Sequence, residues 1–502
     1  MPEPYYITTA IAYPNGRPHI GHAYEAIAAD VIARFQRSQG RDVRLVTGTD
    51  EHGLKMVQTA RGQGRDTLDF ADEMSSYFRA MCDELNVAYD DFVRTTEPRH
   101  HEASIALWKA MEAKGDLYLD RYEGWYSVRD EAFYDEKELS EGEGGVKLSP
   151  QGTPVEWTVE ESWFFRLSRY AEPLLKLYAE QPEFIRPEGR RNEIVRFVEG
   201  GLKDLSVSRT SFDWGVPVPG SPGHVMYVWV DALTAYMTGA GFPEEGGDYQ
   251  RYWPADLHLI GKDIVRFHAV YWPAFLMSAG LPLPRQVFGH GFLLARGEKM
   301  SKSLGNVVDP MELARTYGVD ALRYFLMREV SFGQDGSYSD EAIVTRVNAE
   351  LANSFGNLAQ RTFAMIVKNL DGVVPVTGEA GDDKALLARV AEAETDARAR
   401  FADLDFSVGL DAWMGAVFAA NAYVDAQAPW ALRKTDPARM AEVLGTLAHV
   451  VERLAVVVEP VVPGSIARLT SYLEEGRAAG RLSAPTPIFP RLELAASEEE
   501  GA

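Results

Sequence analysis

The feature that most constrains this chain is the way its opening residues pass from strand through turn into helix. Tyr5–Ala12 is β-branched and aromatic and reads as a strand. Tyr13-Pro14-Asn15-Gly16-Arg17-Pro18 is turn chemistry, and Ala23–Gln39 sets Ala23, Ile27, Ala28, Val31, Ile32 and Phe35 at a helical period that Gly40 closes. Between turn and helix stands His19-Ile20-Gly21-His22. Two imidazoles therefore sit where the first N–H groups of a helix are unsatisfied and the positive end of its dipole faces outward, a place suited to a phosphate.

The alternation continues. Val43–Thr47 reads as a strand, and 67–84 and 97–114 read as helices. It resumes at about 215, with strands at His224–Val230 and Leu257–Ile260, a helix at Ile264–Ala279, and a strand at Gln286–Leu294. That last strand runs into Lys299-Met300-Ser301-Lys302-Ser303. Strand and helix in alternation predict an α/β fold with a doubly wound, Rossmann-like parallel sheet, whose ligands bind at the carboxyl ends of the strands where the order reverses. Both strings follow strands, so both are predicted to face that crevice.

A chain of 502 residues is too long for one core. The pattern divides it into a first α/β half at 1–115, an inserted module at 116–214, a second α/β half at 215–338, a helical bundle at 339–495 and a disordered acidic tail at 496–502. The module is aromatic and charged, with a Gly-rich run at Glu141–Gly145 and turns at Ser149–Pro154. The bundle is read from helices at 340–370, 382–402, 408–427, 436–458 and 464–475. Hydrophobic content of 46% and charged content of 25% are those of a soluble globular protein. No apolar stretch reaches membrane-spanning length, and the start lacks the basic and apolar regions of a signal peptide. A single cysteine, Cys82, excludes an intramolecular disulfide and a thiolate metal site. The expectation is a cytoplasmic protein with no membrane partner.

Alone, either the His-x-Gly-His string or the Lys-x-Ser-Lys-Ser string is an ordinary helix start or surface loop. In this order, on this alternation, they resemble the two ATP-handling signatures of the class I aminoacyl-tRNA synthetases. The resemblance narrows to the methionyl-tRNA synthetases and runs along nearly the whole chain. It is carried by Ala12-Tyr13-Pro14-Asn15-Gly16-Arg17-Pro18-His19-Ile20-Gly21-His22, Gly48-Thr49-Asp50-Glu51-His52-Gly53, Tyr227-Val228-Trp229-Val230-Asp231-Ala232-Leu233, Gly261-Lys262-Asp263-Ile264 and Ala428-Pro429-Trp430.

The resemblance implies a methionine–tRNA ligase that takes L-methionine, ATP with Mg2+, and tRNA(Met), initiator included. It implies His19, His22, Lys299 and Lys302 as catalytic groups, with Gly21, Glu25 and Ser301 joining them around ATP. Asp50 would take the substrate ammonium, and Ile11, Ala12, Tyr13, Trp229, Ala232, Leu233, Tyr236, Ile264 and His268 would line the side-chain pocket. Arg209, Lys262 and Asp263 would support the site, and Asn357, Arg361 and Trp430 would read the CAU anticodon.

The residue types suit that chemistry. The attacking carboxylate is already ionised, so the site supplies alignment and charge stabilisation rather than a base. A thioether sits well against aromatic edges. An apolar slot separates methionine from leucine by only about 1–3 kcal/mol, so Tyr236 or Tyr13, with His268, is expected near the sulfur. On its own residues Trp430 fits helix packing as well as a platform for an unstacked base, and the sequence leaves both open. His100-His101 reads as surface.

With a net charge of −23 any contact with RNA must be local, and Arg186, Arg190, Arg191 and Arg196 form one basic cluster, Arg323, Arg328 and Arg346 another. Each cluster taken alone reads as a solvated helix face rather than a patch for a partner. Where many relatives carry Cys-x-x-Cys pairs in the inserted module, this chain has Ser127 and Asp130, then residues near Leu148 and Gln151, so no zinc is expected. The knuckle is expected to be held by turns and by Trp125, Phe133 and Trp157, and to sit over the acceptor end of the tRNA. Without a further C-terminal domain, a monomer is expected. The rivals are weaker: synthetases for leucine, isoleucine or valine resemble chains with a large editing insert, the cysteine enzyme needs zinc thiolates, and a small nucleotidyltransferase has no use for the bundle.

Overall fold

Strands buried on both faces of a parallel sheet are apolar along their length. Central strands of that kind, flanked by two short edge strands with charged ends, organise the first of the two units into which the computed structural model divides: β1 (Pro4–Thr9), β2 (Asp42–Thr49), β3 (Asp91–Arg94), β4 (Ile185–Arg186), β5 (Leu257–Gly261) and β6 (Val287–His290), with β3 and β4 at the edges. The structure describes residues 2–130, 132–244, 246–295 and 307–494. The strands pair in the order β3-β2-β1-β5-β6-β4, every pair parallel. The chain winds outward from β1 through β2 to β3 on one side and from β5 to β6 on the other, so the order reverses between β1 and β5. Gly48, at the end of β2, is required there: a Cβ would lie 1.9 Å from the Val93 carbonyl oxygen.

The first unit comprises Met1–Ala29, Gln36–Asp83 and Val87–His290. Its helices include α1 (Ile20–Ser38), which follows β1, α2 (Pro98–Ala113) and α3 (Val228–Thr238). The inserted module is an antiparallel sheet of Leu205–Ser206, Glu156–Phe165, Leu117–Ser127 and Ala132–Tyr134, in that order.

Two segments differ from expectation. The strand read over His224–Val230 is confined to Val225–Met226, and Val228–Thr238 is helical. Nearly every residue of α3 is buried, so its one polar line, Asp231, Thr234 and Thr238, faces protein rather than water, and the apolar run at its start, Val228–Val230, reads equally as a buried strand. The helix read over Ile264–Ala279 is a 3₁₀ turn at Lys262–Ile264, a π-helical turn at Phe267–Tyr271 and an α-helix at Trp272–Ala279.

The second unit comprises Asp30–Phe35, Glu84–Asn86 and Gly291–Ala502. Leu293–Ala295, read as the end of a longer strand, pairs instead with Gly336–Tyr338. The helix expected over 340–370 is Asp340–Val347, a π-helical stretch at Asn348–Gly356, and α4 (Asn357–Asn369). Then follow α5 (Gly381–Ala402), α6 (Phe406–Gln427), α7 (Pro429–Thr435), α8 (Pro437–Val458) and α9 (Pro463–Ala479). The tail at 496–502 lies outside the described residues.

The cluster of Arg323, Arg328 and Arg346 is no solvated face. Arg323 is fully buried and ion-pairs Asp30 at 2.5 Å. Its remaining N–H groups donate to the carbonyls of Val461, Leu85, Asn86 and Pro460. Arg328 and Arg346 both pair with Glu350, at 3.0 and 2.9 Å. A guanidinium with five donors is suited to cross-linking backbone carbonyls in an interior, and charge counting along a sequence does not reveal it.

Candidate active site

The carboxyl ends of β1 and β2 are zipped by Ala12 N–H to the Gly48 carbonyl (2.9 Å) and Asp50 N–H to the Ala12 carbonyl (2.8 Å). Ile11, Ala12 and Tyr13 are thereby held beside Asp50. The Tyr13 hydroxyl accepts the Met56 N–H at 3.2 Å.

His19 immediately precedes α1 and His22 lies in its first turn. The Gly21 N–H donates to His19 Nδ1 and the His19 N–H donates to His22 Nδ1, each at 3.1 Å. In a neutral ring this leaves the hydrogen on Nε2 of both, so each presents a donor. The rings lie 3.8 Å apart. A Cβ on Gly21 would come within 2.9 Å of the His19 ring, so glycine is what lets His19 fold over the helix start. Glu25, one turn further on, accepts from His290 Nε2 at 2.8 Å; burial raises its carboxyl above the ordinary value, against that bond. One cavity is lined by Ala10, Ala12, His22, Glu25, Thr47 and Gly48, among others. Lys299, Ser301 and Lys302 lie outside the described residues.

Helix α3 carries Trp229, Ala232, Leu233 and Tyr236. Trp229 stacks on Phe267 at 3.8 Å and 4°, and His268 meets its ring edgewise. His268 is fully buried, which pushes its imidazole down to about 4 and keeps it neutral at pH 7. Its Nδ1–H donates to the Ile264 carbonyl at 2.9 Å, so Nε2 accepts the Tyr236 O–H at 2.6 Å. Burial, then the charges of Glu25 and Asp50, drive the Tyr236 hydroxyl well above its usual range, and the Ile11 N–H opposes them by donating to it. Lys262 and Asp263 follow β5, Lys262 partly buried and Asp263 exposed. Arg209 is buried among the rings of Tyr227, Phe133 and Tyr126, 4.7, 4.9 and 5.4 Å from its guanidinium, and donates to Ser206 Oγ and the Ser208 carbonyl.

In the knuckle, the side chains that gather around Ser127 and Asp130 are those of Ser149 and Thr153 rather than of Leu148 and Gln151. Ser127 and Thr153 hydroxyls lie 2.7 Å apart, and Asp130 accepts from Ser149, Thr153 and Tyr134 at 2.6, 2.5 and 3.1 Å. Hydroxyls and one carboxylate bonded to each other do not fit zinc, which takes thiolate, imidazole and carboxylate ligands. Among the described residues, no group of three or more His, Cys, Asp or Glu could hold a metal ion. Packing also contributes, with Trp125 edgewise to Trp157 at 5.3 Å.

Within the second unit, Asn357 and Arg361 lie one turn apart on α4, and the Arg361 guanidinium sits 5.6 Å from the Trp430 ring. Trp430 is 51% exposed, so about half of its side chain is open to solvent. Arg186, Arg190 and Arg191 of the other basic cluster pair with Glu183, Glu193 and Glu188.

His100, read as surface, is fully buried. Its Nε2–H donates to Asp231 Oδ1 at 2.6 Å, and His52 Nδ1–H donates to Asp231 Oδ2 at 2.5 Å. Burial works to raise the Asp231 carboxyl, but the attraction of His52 and the two hydrogen bonds outweigh it and hold it well below the usual range. His258, which the sequence did not single out, is fully buried with its ring tilted against Tyr236 at 4.5 Å. The position of Asp231 inside the Tyr227–Leu233 string was a signal for its role; nothing in the charged run around His100 was.

Comparison with known proteins bears on the same residues. A family model described as class I tRNA synthetases (M) matches residues 5–363, and one described as the anticodon binding domain of methionyl tRNA ligase matches residues 374–483. The methionine–tRNA ligase of Brucella suis biovar 1 is 58% identical, over 97% of this chain and 98% of its own length. That of Mesorhizobium japonicum is 59% identical, over 94% and 91%. The solved structure of Mycobacterium tuberculosis methionyl-tRNA synthetase in complex with methionyl-adenylate superposes with a TM-score of 0.94 at 55% identity, over 97% of this chain and 100% of that one.

Proposed function

The chain belongs to the class I methionyl-tRNA synthetases, and from that membership we propose how its residues divide the work of joining methionine to tRNA. It is a ligase of two steps: L-methionine and ATP give methionyl-adenylate and pyrophosphate, and the methionyl group then passes to the 3′ end of tRNA(Met). The ammonium of methionine rests on Asp50. Its side chain lies among Ile11, Ala12, Tyr13, Trp229, Ala232, Leu233, Tyr236, Ile264 and His268. The bound carboxylate attacks the α-phosphorus in line with the departing pyrophosphate.

His19 and His22 donate from Nε2 to phosphate oxygens at the start of α1, where the helix dipole adds to their effect. Gly21 and Glu25 complete that side of the nucleotide site. Lys299, Ser301 and Lys302 follow the leaving pyrophosphate, and the Mg2+ that accompanies ATP neutralises part of the triphosphate charge. Arg209, Lys262 and Asp263 hold the surrounding polar groups in place. Asn357, Arg361 and Trp430 read the anticodon, Trp430 as a stacking plane and the other two at base edges.

The domain division at 1–115, 116–214, 215–338 and 339–495 follows these roles, with the inserted module over the acceptor end. The reading has the protein act as a cytoplasmic monomer on both initiator and elongator tRNA. No helix among the described residues is long and apolar enough to cross a membrane. The knuckle needs no zinc, because its hydroxyl and Asp130 network satisfies itself; metal analysis of the purified protein finding stoichiometric zinc would overturn this.

One observation carries the reading: a single cavity at the carboxyl ends of β1 and β2 is lined by Ala10, Ala12, Gly48, His22 and Glu25, and Asp50 is bonded to Ala12 on its edge at 2.8 Å. Groups suited to the ammonium, the side chain and the nucleotide thus meet at the end of one sheet. Pyrophosphate exchange into ATP that depends on methionine is the expected result. Exchange with leucine instead, or with no amino acid, refutes the reading.

A further inference from the structure

Methionine must be gripped at two ends by elements far apart in the chain. In the reading above, which this inference rests on and extends, Asp50 takes the ammonium and α3 encloses the side chain. Asp50 belongs to the short segment between β2 and the helix that begins at Leu54, which is neither strand nor helix and is held by single backbone bonds at Asp50 and Gly53 and by side chains between them.

Two residues after Asp50, His52 is buried and donates to Asp231 at 2.5 Å. Asp231 follows Trp229 and precedes Ala232 on α3. Its other oxygen is held by His100 of α2, whose Nδ1 lies 3.0 Å from Thr238 Oγ1, about two turns further along α3. His100 therefore clamps α3 at two levels, and Asp231 passes that clamp on to the Asp50 segment through His52. Thr238 is itself anchored to the Thr234 carbonyl, and Trp214 stacks edgewise on His52 at 5.6 Å while its indole N–H holds the Glu51 carbonyl at 2.7 Å.

We infer that Asp231, gripped between His52 and His100, is a positioning residue for methionine: it sets the spacing between the carboxylate that takes the ammonium and the helix that encloses the side chain. It touches neither substrate nor reacting atoms. A register error between the two ends of the amino acid weakens its binding and leaves the nucleotide side, built on α1 and β6, unaffected.

The test is steady-state pyrophosphate exchange on the full chain with Asp231→Asn, His52→Leu and His52→Asn. Asp231→Asn and His52→Leu are expected to raise KM for methionine about tenfold or more, with kcat and KM for ATP within about twofold of the parent. His52→Asn restores an N–H near the position of Nδ1 and is expected to keep KM for methionine close to the parent value. The inference is overturned if KM for methionine stays within about twofold in Asp231→Asn and His52→Leu. It is also overturned if kcat and both KM values deteriorate together, or if His52→Asn is no better than His52→Leu. A parent enzyme without methionine-dependent exchange refutes the pocket itself, whereas an active parent with unmoved variants refutes only the clamp.

Discussion

Replacing Trp430 by alanine separates the two halves of the proposed reaction. The indole is 51% exposed and its removal opens no cavity of consequence, so folding loses little. A base stacked on an aromatic plane is stabilised by about 1–3 kcal/mol. The Arg361 guanidinium, 5.6 Å above the ring, loses a cation–π contact of about 0.5–1 kcal/mol and is left to its looser pairing with Asp425 at 3.8 Å. Together these come to roughly 1.5–4 kcal/mol, a loss of between about tenfold and several hundredfold in kcat/KM for charging tRNA(Met). Methionine-dependent pyrophosphate exchange, which needs no anticodon, is expected to stay within about twofold. Charging and exchange are measured on the same preparation. Undiminished charging would refute the anticodon platform, and an equal fall in both would show that Trp430 acts through the fold.

His22→Ala is expected to lower the exchange rate at saturation far more than methionine affinity, because its Nε2–H acts on charge that develops in the transition state; equal losses in both would contradict that role. Arg323→Met leaves the buried Asp30 carboxylate to Arg34 alone and takes the guanidinium donors from the carbonyls of Val461, Leu85 and Pro460, so about 1–3 kcal/mol of stability and a few degrees of Tm should go; a calorimetric transition moved by under one degree would deny it the structural role. Asp130→Ala removes the acceptor shared by Ser149, Thr153 and Tyr134, and limited proteolysis should cut the inserted module faster; an unchanged cleavage rate would mean packing alone holds the knuckle. For His268, the folded value of about 4 lies below the usual 6.5 or so, so between those limits the unfolded chain binds a proton that the folded chain does not. Stability should therefore fall by about 3 kcal/mol as pH drops through that window, and the urea midpoint of His268→Gln should move less than that of the parent. Identical pH dependence in the two would remove His268 as the cause.

Much of the fold was legible because local signals and tertiary placement agreed. The segment from β1 into α1 combines strand propensity, turn residues and a 3.6-residue period, each a property of neighbouring residues. The long helices from 381 onward were legible for the same reason, whereas the shorter Pro310–Tyr317, Val319–Glu329 and Pro429–Thr435 were not read from the sequence. What misled was burial on all sides. Val228–Thr238 turns its few polar residues, Asp231, Thr234 and Thr238, into the protein, so its apolar start read as a strand, and Trp229, Ala232, Leu233 and Tyr236, the proposed pocket residues, came from the resemblance rather than from the element that carries them. His100 and Arg323 misled in the opposite sense. Polar residue types in charged runs suggested water, yet each is buried on partners distant in the chain, Asp231 for the one and Asp30 for the other.

By itself the sequence determined which chemical groups are available and on which local elements they begin: imidazoles at a helix start, amines after a late strand, aromatics beside a carboxylate, and too few thiols for zinc. Only tertiary structure decided their proton states and their company. That His268 is neutral and accepts the Tyr236 hydroxyl, that Asp130 gathers three hydroxyls, and that Asp231 joins two histidines are consequences of burial and of hydrogen bonds between residues far apart in sequence. Desolvation and long-range pairing depend on where the chain returns to itself, which no window of neighbouring residues contains.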